Sequence, residues 1–146
     1  MDTSKAFVAV ELDESSVMVL ARCVQVLRQE CPKVRWSRPE QLHLTLKFIG
    51  DIDNRQLPTL CQTLREVCSV VEPFAIELRG LGTFPKHKPP RVVWAGVIDP
   101  TEQLRKLAEQ IDERMGQLGI ARENRQFTPH LTLGRVTRAA DSERLQ

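Results

Sequence analysis

Apolar positions recur along this chain in two rhythms, every second residue and about every 3.6 residues, and the switches between them lay out its elements. Ala6 to Leu12 is a short apolar run with β-branched residues, which predicts a buried strand. Asp13 or Ser15 then offers a helix N-cap. Val17, Leu20, Val24, Leu27 and Cys31 follow at helical spacing until Pro32 stops the run. Val34 to Ser37 forms a minor strand and Arg38-Pro39-Glu40 a turn. Leu42 to Ile49 alternates sharply, as a strand with one buried face does, and Gly50-Asp51 ends it. Asp53 or Asn54 caps a second helix whose apolar face is Leu57, Leu60, Cys61, Leu64, Val67, Cys68 and Val71. Pro58 falls in its first turn, where a missing N–H costs little.

Phe74 to Leu78 predicts a further strand. Gly80 to Arg91 is rich in Gly, Pro and basic residues and reads as a loop, and Val92 to Ile98 returns to strand. Asp99 or Thr101 caps a third helix, with Leu104, Leu107, Ala108, Ile111, Met115 and Leu118 on one face and Gly119 at its end. Leu131 to Val136 is the last clear strand, and Thr137 to Gln146 is a polar tail. Short strands among few helices predict an α+β domain with helices packed on sheets. No low-complexity segment interrupts the order, so residues 1–146 read as one domain. At that length a chain buries roughly 70% of its unfolded surface, enough for a real core.

Composition narrows the function only a little. Hydrophobic residues at 41% exclude a disordered chain, and a net charge of +2 is too small to announce nucleic-acid binding by bulk charge. Contact with a nucleic acid must come from a local patch; Lys86, His87, Lys88 and Arg91 form the densest one. Cys23, Cys31, Cys61 and Cys68 match no zinc spacing and lie in helical segments, which predicts reduced, structural thiols. With no export signal and no apolar stretch near the ~20 residues of a membrane span, a cytoplasmic protein without membrane contact is expected.

The chemistry lies in a repeat. Two of the chain's three histidines open identical His-Leu-Thr-Leu tetrapeptides, His43 to Leu46 and His130 to Leu133. On an alternating strand His43, Thr45 and Lys47 share one face, as do His130 and Thr132, while the leucines share the other. If the two strands lie side by side or pseudo-symmetrically, two histidines and two threonines converge on one cleft. That set suits displacement at phosphorus. One imidazole deprotonates water, the other protonates the leaving oxygen, and the hydroxyls donate to non-bridging oxygens. A single His-x-Thr on a strand is ordinary, but two identical copies are hard to ascribe to chance. A two-histidine zinc site would lack obvious third and fourth ligands, so neither metal nor other cofactor is expected.

These blocks resemble the two-histidine phosphoesterase superfamily, and within it the RNA 2′,3′-cyclic phosphodiesterase family, also called 2′-5′ RNA ligase. The resemblance runs through Phe7-Val8-Ala9-Val10-Glu11-Leu12, Val34-Arg35-Trp36, Leu42 to Gly50, Pro90 to Gly96 and Phe127 to Arg135. It implies a bilobal, pseudo-symmetric fold of antiparallel sheets with helices packed outside and a central cleft. It implies opening of an RNA 2′,3′-cyclic phosphate end to a 2′-phosphate, with His43 as general acid, His130 as general base, and Thr45 and Thr132 on phosphate oxygens. Arg135 stands at the position of a phosphate-linked family arginine, although strict alternation places it opposite His130. It reaches the cleft only if Gly134 permits a bulge or the strand ends there. Family members usually continue past the second motif into one or more further strands, which this chain is expected to lack.

Around the motifs, Lys47, Phe48, Lys86, Lys88 and Arg91 are candidate RNA contacts. Phe48, Trp36 and Trp94 are each a base-stacking surface or a piece of core. Two other functions remain open: a binding module that recognises RNA ends without turnover, and 2′-5′ ligation through the same transition state. No phosphate-cradling glycine loop supports an ATP-driven ligase.

Overall fold

The computed structural model of the chain describes residues 2–85, 89–124 and 126–136. The expected RNA contacts Lys86 and Lys88, with His87 between them, lie outside the described residues, as does the polar tail. Among the described residues are six strands and three α-helices: β1 (Thr3–Glu11), α1 (Glu14–Glu30), β2 (Arg35–Trp36), β3 (His43–Asp53), α2 (Leu57–Ser69), β4 (Glu77–Phe84), β5 (Val92–Ile98), α3 (Gln103–Gly116) and β6 (His130–Arg135). The α+β expectation holds. The strands form two open sheets, β1-β3 and β2-β6-β5-β4, and β6 runs antiparallel to both of its neighbours. No helix among the described residues is long and apolar enough to cross a membrane.

Two compact units emerge, each woven from three segments. One comprises Met1–Ala9, Thr45–Glu77 and Ile98–Pro129; the other comprises Val10–Leu44, Leu78–Val97 and His130–Gln146. In the first unit α2 packs on α3, which buries Leu104, Leu107, Ala108, Ile111 and Met115 as its spacing predicts. Both Asp99 carboxylate oxygens accept backbone N–H bonds, from Leu104 and Arg105, so Asp99 caps the helix start. In the second unit Leu20 and Val24 of α1 cover a core of Val34, Trp36, Leu42, Val93, Ala95, Leu131 and Leu133. The Trp36 indole N–H donates to the Cys31 carbonyl at 2.9 Å, which satisfies the one polar group of that buried ring.

Two expectations need correction. The stripe of α2 is rotated: Leu60, Thr63 and Val67 are buried, whereas Cys61 and Cys68 are exposed. Thr63 occupies an interior position because its hydroxyl donates to the Thr59 carbonyl at 2.9 Å. All four cysteines are free. The second correction is β4, which begins at Glu77 and runs through the supposed loop to Phe84. One of its glycines, Gly82, serves a close approach. A Cβ on Gly82 would collide with the Trp94 ring, so glycine here marks a strand beneath an aromatic side chain.

Candidate active site

The second motif lies on β6, between β2 and β5. Leu131 and Leu133 are fully buried in the core of their unit, while His130 and Thr132 are half-buried on the opposite face. Trp94 pairs with Thr132 and Gly96 with His130, so these four positions share a face. The register then shifts. Val93 pairs with Gly134 and Val92 with Arg135, which leaves Leu133 as one extra residue on β6. Burial records the same slip, with Leu133 and Gly134 buried in succession. The bulge reverses the parity of everything after it. Arg135 therefore joins Val92 and Trp94 on the face of His130 and Thr132, where unbroken alternation would have turned it away.

Strand β2 holds this arrangement from the other side. Trp36 pairs with Gly134 and Arg35 with Arg135. Beyond the paired residues, Ser37 donates its backbone N–H to the Leu133 carbonyl at 2.7 Å and its hydroxyl to the Thr132 carbonyl at 3.4 Å. The extra residue thus keeps a partner for its carbonyl. At the far end of the strand the His130 ring meets Phe84 edge-on, at a centroid separation of 5.3 Å, with Trp94 6.5 Å away. Phe84 also packs on Trp94 at 5.3 Å. Arg91 links the end of β4 to the residue after β6: its N–H donates to the Phe84 carbonyl and its carbonyl accepts from the Val136 N–H.

The first motif opens β3. Leu44 is fully buried and Leu46 nearly so, while the alternating His43 and Thr45 are half-buried. The boundary between the two units passes between Leu44 and Thr45, so His43 belongs with the second motif's unit and Thr45 with the other. Lys47 departs from its expected role as an RNA contact. It is 5% exposed, and its ammonium donates to the Asp112 carboxylate and, at 2.9 Å, to the Ala121 carbonyl. A charge neutralised by a core ion pair adds no potential for a ligand. Asp112 also accepts from the Arg122 guanidinium and the Glu123 N–H. Burial, the largest single influence, pushes its carboxyl up. The hydrogen bonds from Lys47, Arg122 and Glu123 and the Lys47 charge outweigh it, so Asp112 titrates below the usual range.

Phe48 is 65% exposed and leans on the exposed Phe7, with centroids 6.5 Å apart. Trp36 belongs to the core. Trp94 is half-buried, and its buried indole N–H finds no acceptor among the described residues. Sequence reasoning did not place Phe84 at the second motif, because glycines disguised its strand as loop. It passed over Asp112, whose lone sign was a polar residue inside the apolar stripe of α3.

Comparison with known proteins gives the chain's family and fold. The pattern of the 2′-5′ RNA ligase superfamily matches residues 16–146. The chain belongs to that superfamily. It is 37% identical over 141 residues to the RNA 2′,3′-cyclic phosphodiesterase of Methanothermobacter thermautotrophicus, an alignment covering 97% of this chain and 76% of that protein. The Aquifex aeolicus protein of the same name is 37% identical over 103 residues, covering 70% of this chain and 55% of its own length. Among solved structures, TT0787 of Thermus thermophilus superimposes with a TM-score of 0.85 at 30% identity, covering 92% of this chain and 75% of that one. Superfamily membership accounts for the order and spacing of the motif blocks, and the superposition for the open sheets and three helices.

Proposed function

We propose that this chain is a phosphodiesterase that opens RNA 2′,3′-cyclic phosphate ends to 2′-phosphates by paired-histidine catalysis, without a metal. The observation that carries the proposal is the repeat. Each His-Leu-Thr-Leu begins a strand, sinks its leucines into a core and leaves its His and Thr half-buried. The names of the relatives support the substrate class.

In the reaction His130 takes a proton from water as the water oxygen attacks phosphorus. The bond from phosphorus to the 3′ oxygen breaks, and His43 protonates that oxygen, leaving a 2′-phosphate and a 3′-hydroxyl. Thr45 and Thr132 donate to the non-bridging oxygens, where charge gathers in the transition state. Arg135, on the same face as Thr132 because of the bulge, adds a guanidinium to that charge. The exposed Phe48 and Arg91 remain candidate contacts to the rest of the RNA, with Lys86 and Lys88, in a cytoplasmic setting. Ligation of a 5′-hydroxyl end onto the cyclic phosphate is the same chemistry run with RNA in place of water.

A defined oligonucleotide with a cyclic end, incubated with protein and excess chelator, tests this. Phosphorus NMR should show the cyclic signal replaced by a 2′-monophosphate. Undiminished turnover by both His43→Ala and His130→Ala would refute the mechanism. Tight binding of a 2′-phosphate end with no turnover by the wild-type chain would make it a recognition module instead.

A further inference from the structure

The β2–β6 pairing sets two arginines directly opposite each other, Arg35 on the edge strand and Arg135 next to it. Both are exposed. Neither guanidinium has a hydrogen bond or ion pair among the described residues, although the chain forms carboxylate pairs at Arg55, Arg105, Arg114 and Arg122. Like charges at directly opposed positions of an antiparallel pair are destabilising. An arrangement that costs stability and, among the described residues, answers to no carboxylate suits an external anion.

The bulge gives the pair its meaning. By register, Arg35 shares the face of Arg135, hence that of Thr132 and His130. Along β6, Arg135 is three residues from Thr132, about 10 Å at strand spacing, and Arg35 lies one strand, about 4.8 Å, further toward the edge. On the other flank aromatic rings, Phe84 and Trp94, stand beside His130. The cationic edge at Arg35 and Arg135 is where a second phosphate of an RNA chain, its terminal phosphate at His130 and Thr132, meets guanidinium groups.

We propose that Arg35 is a specificity-determining residue that, beside Arg135, holds the phosphodiester on the 5′ side of the terminal nucleotide. The inference rests on the function proposed above. Arg35 distinguishes a polynucleotide end from a free nucleoside cyclic phosphate, which carries no second phosphate. A guanidinium suits this task better than an ammonium, since it meets two phosphate oxygens at once.

The test compares a nucleoside 2′,3′-cyclic monophosphate with a dinucleotide bearing the same cyclic end. The wild-type chain should prefer the dinucleotide. Arg35→Gln should lower kcat/KM for the dinucleotide about ten-fold, chiefly through KM, which is the worth of one charge-assisted bond. The mononucleotide should stay within about two-fold, and Arg35→Lys should recover part of the loss. Equal losses on both substrates, or no loss on either, would overturn the assignment. A second measurement separates this inference from the function it rests on. Equilibrium binding of a dinucleotide and a mononucleotide that both end in a 2′-phosphate needs no turnover. There Arg35→Gln should weaken the dinucleotide alone and reduce its salt slope by about one phosphate contact. If the wild-type chain opens neither cyclic end, the catalytic proposal fails and this binding contrast still decides Arg35: equal effects on both ligands, or none, reject it.

Discussion

Gly134→Ala tests how the second motif is anchored. Gly134 lies immediately before Arg135 on β6, opposite Trp36. A Cβ built at this position would sit 2.6 Å from Cε3 of the Trp36 ring, with Cζ3 at 3.1 Å and Cδ2 at 3.2 Å. The ring cannot swing away cheaply, because it is buried and its indole N–H is committed to the Cys31 carbonyl. Either the indole bond is lost or β6 moves off β2. Overpacking of this kind costs about 1–3 kcal/mol. The melting midpoint should therefore fall by very roughly 3–12 °C for a chain of this size. Both tryptophans, Trp36 and Trp94, lie in the unit that carries Gly134, so intrinsic fluorescence in a urea series reads the relevant part of the molecule. A Trp36→Leu partner completes a double-mutant cycle. Once the ring is gone, the added methyl should cost markedly less, giving a coupling energy of at least about 1 kcal/mol. An unchanged urea midpoint for Gly134→Ala, or strict additivity with Trp36→Leu, would show that Trp36 is not pressed onto this strand. The account of what holds Arg35 beside Arg135 would then fail as well.

Other expectations follow from the same structure. His43→Ala and His130→Ala should each lower kcat by about 10²–10⁴ on a cyclic-ended RNA, and full activity in either variant would count against paired-histidine catalysis. Asp112→Ala strands the Lys47 ammonium, whose side chain is 3% exposed, and should cost about 3–5 kcal/mol in denaturant melts. Lys47→Met leaves Asp112 with Arg122 and the Glu123 N–H and should cost less than half as much. Because the folded pKa of Asp112 is depressed, its contribution is complete above the ordinary carboxylate value of about 4 and is lost as pH falls through the folded value. The stability gap between wild type and Asp112→Ala should accordingly narrow below about pH 4, and a constant gap down to pH 2 would contradict this. Phe84→Leu removes the edge-on partner of the His130 ring. It should reduce kcat several-fold with little change in KM, and an unaltered kcat would mean that the ring contact does not orient His130.

Local order was legible where periodicity and chemistry agreed. The boundaries of β5, the Asp99 carboxylate that accepts from the first turn of α3, and the His-Leu-Thr-Leu strands with leucines inside all follow from alternation, helical spacing and capping. These are properties of a residue and its near neighbours, so the sequence states them directly. Strand β4 was hidden because its Gly82 answers to the Trp94 ring on the next strand, a contact that no local pattern encodes. Lys47 was misjudged for a similar reason. Its position on β3 is given by the sequence, but its carboxylate partner comes from α3, 65 residues away along the chain.

The sequence by itself determined that two histidine–threonine strands exist and which of their faces is buried. It could not determine which residues join that face after the motif. Alternation turns Arg135 away from His130, and Gly134 only permits the exception. Pairing with β2 and β5, with Leu133 left over, imposes it. A bulge is a mismatch between two strands, so it has no existence within one of them. Only the tertiary structure decides that Arg35, Arg135, Thr132 and His130 face the same way.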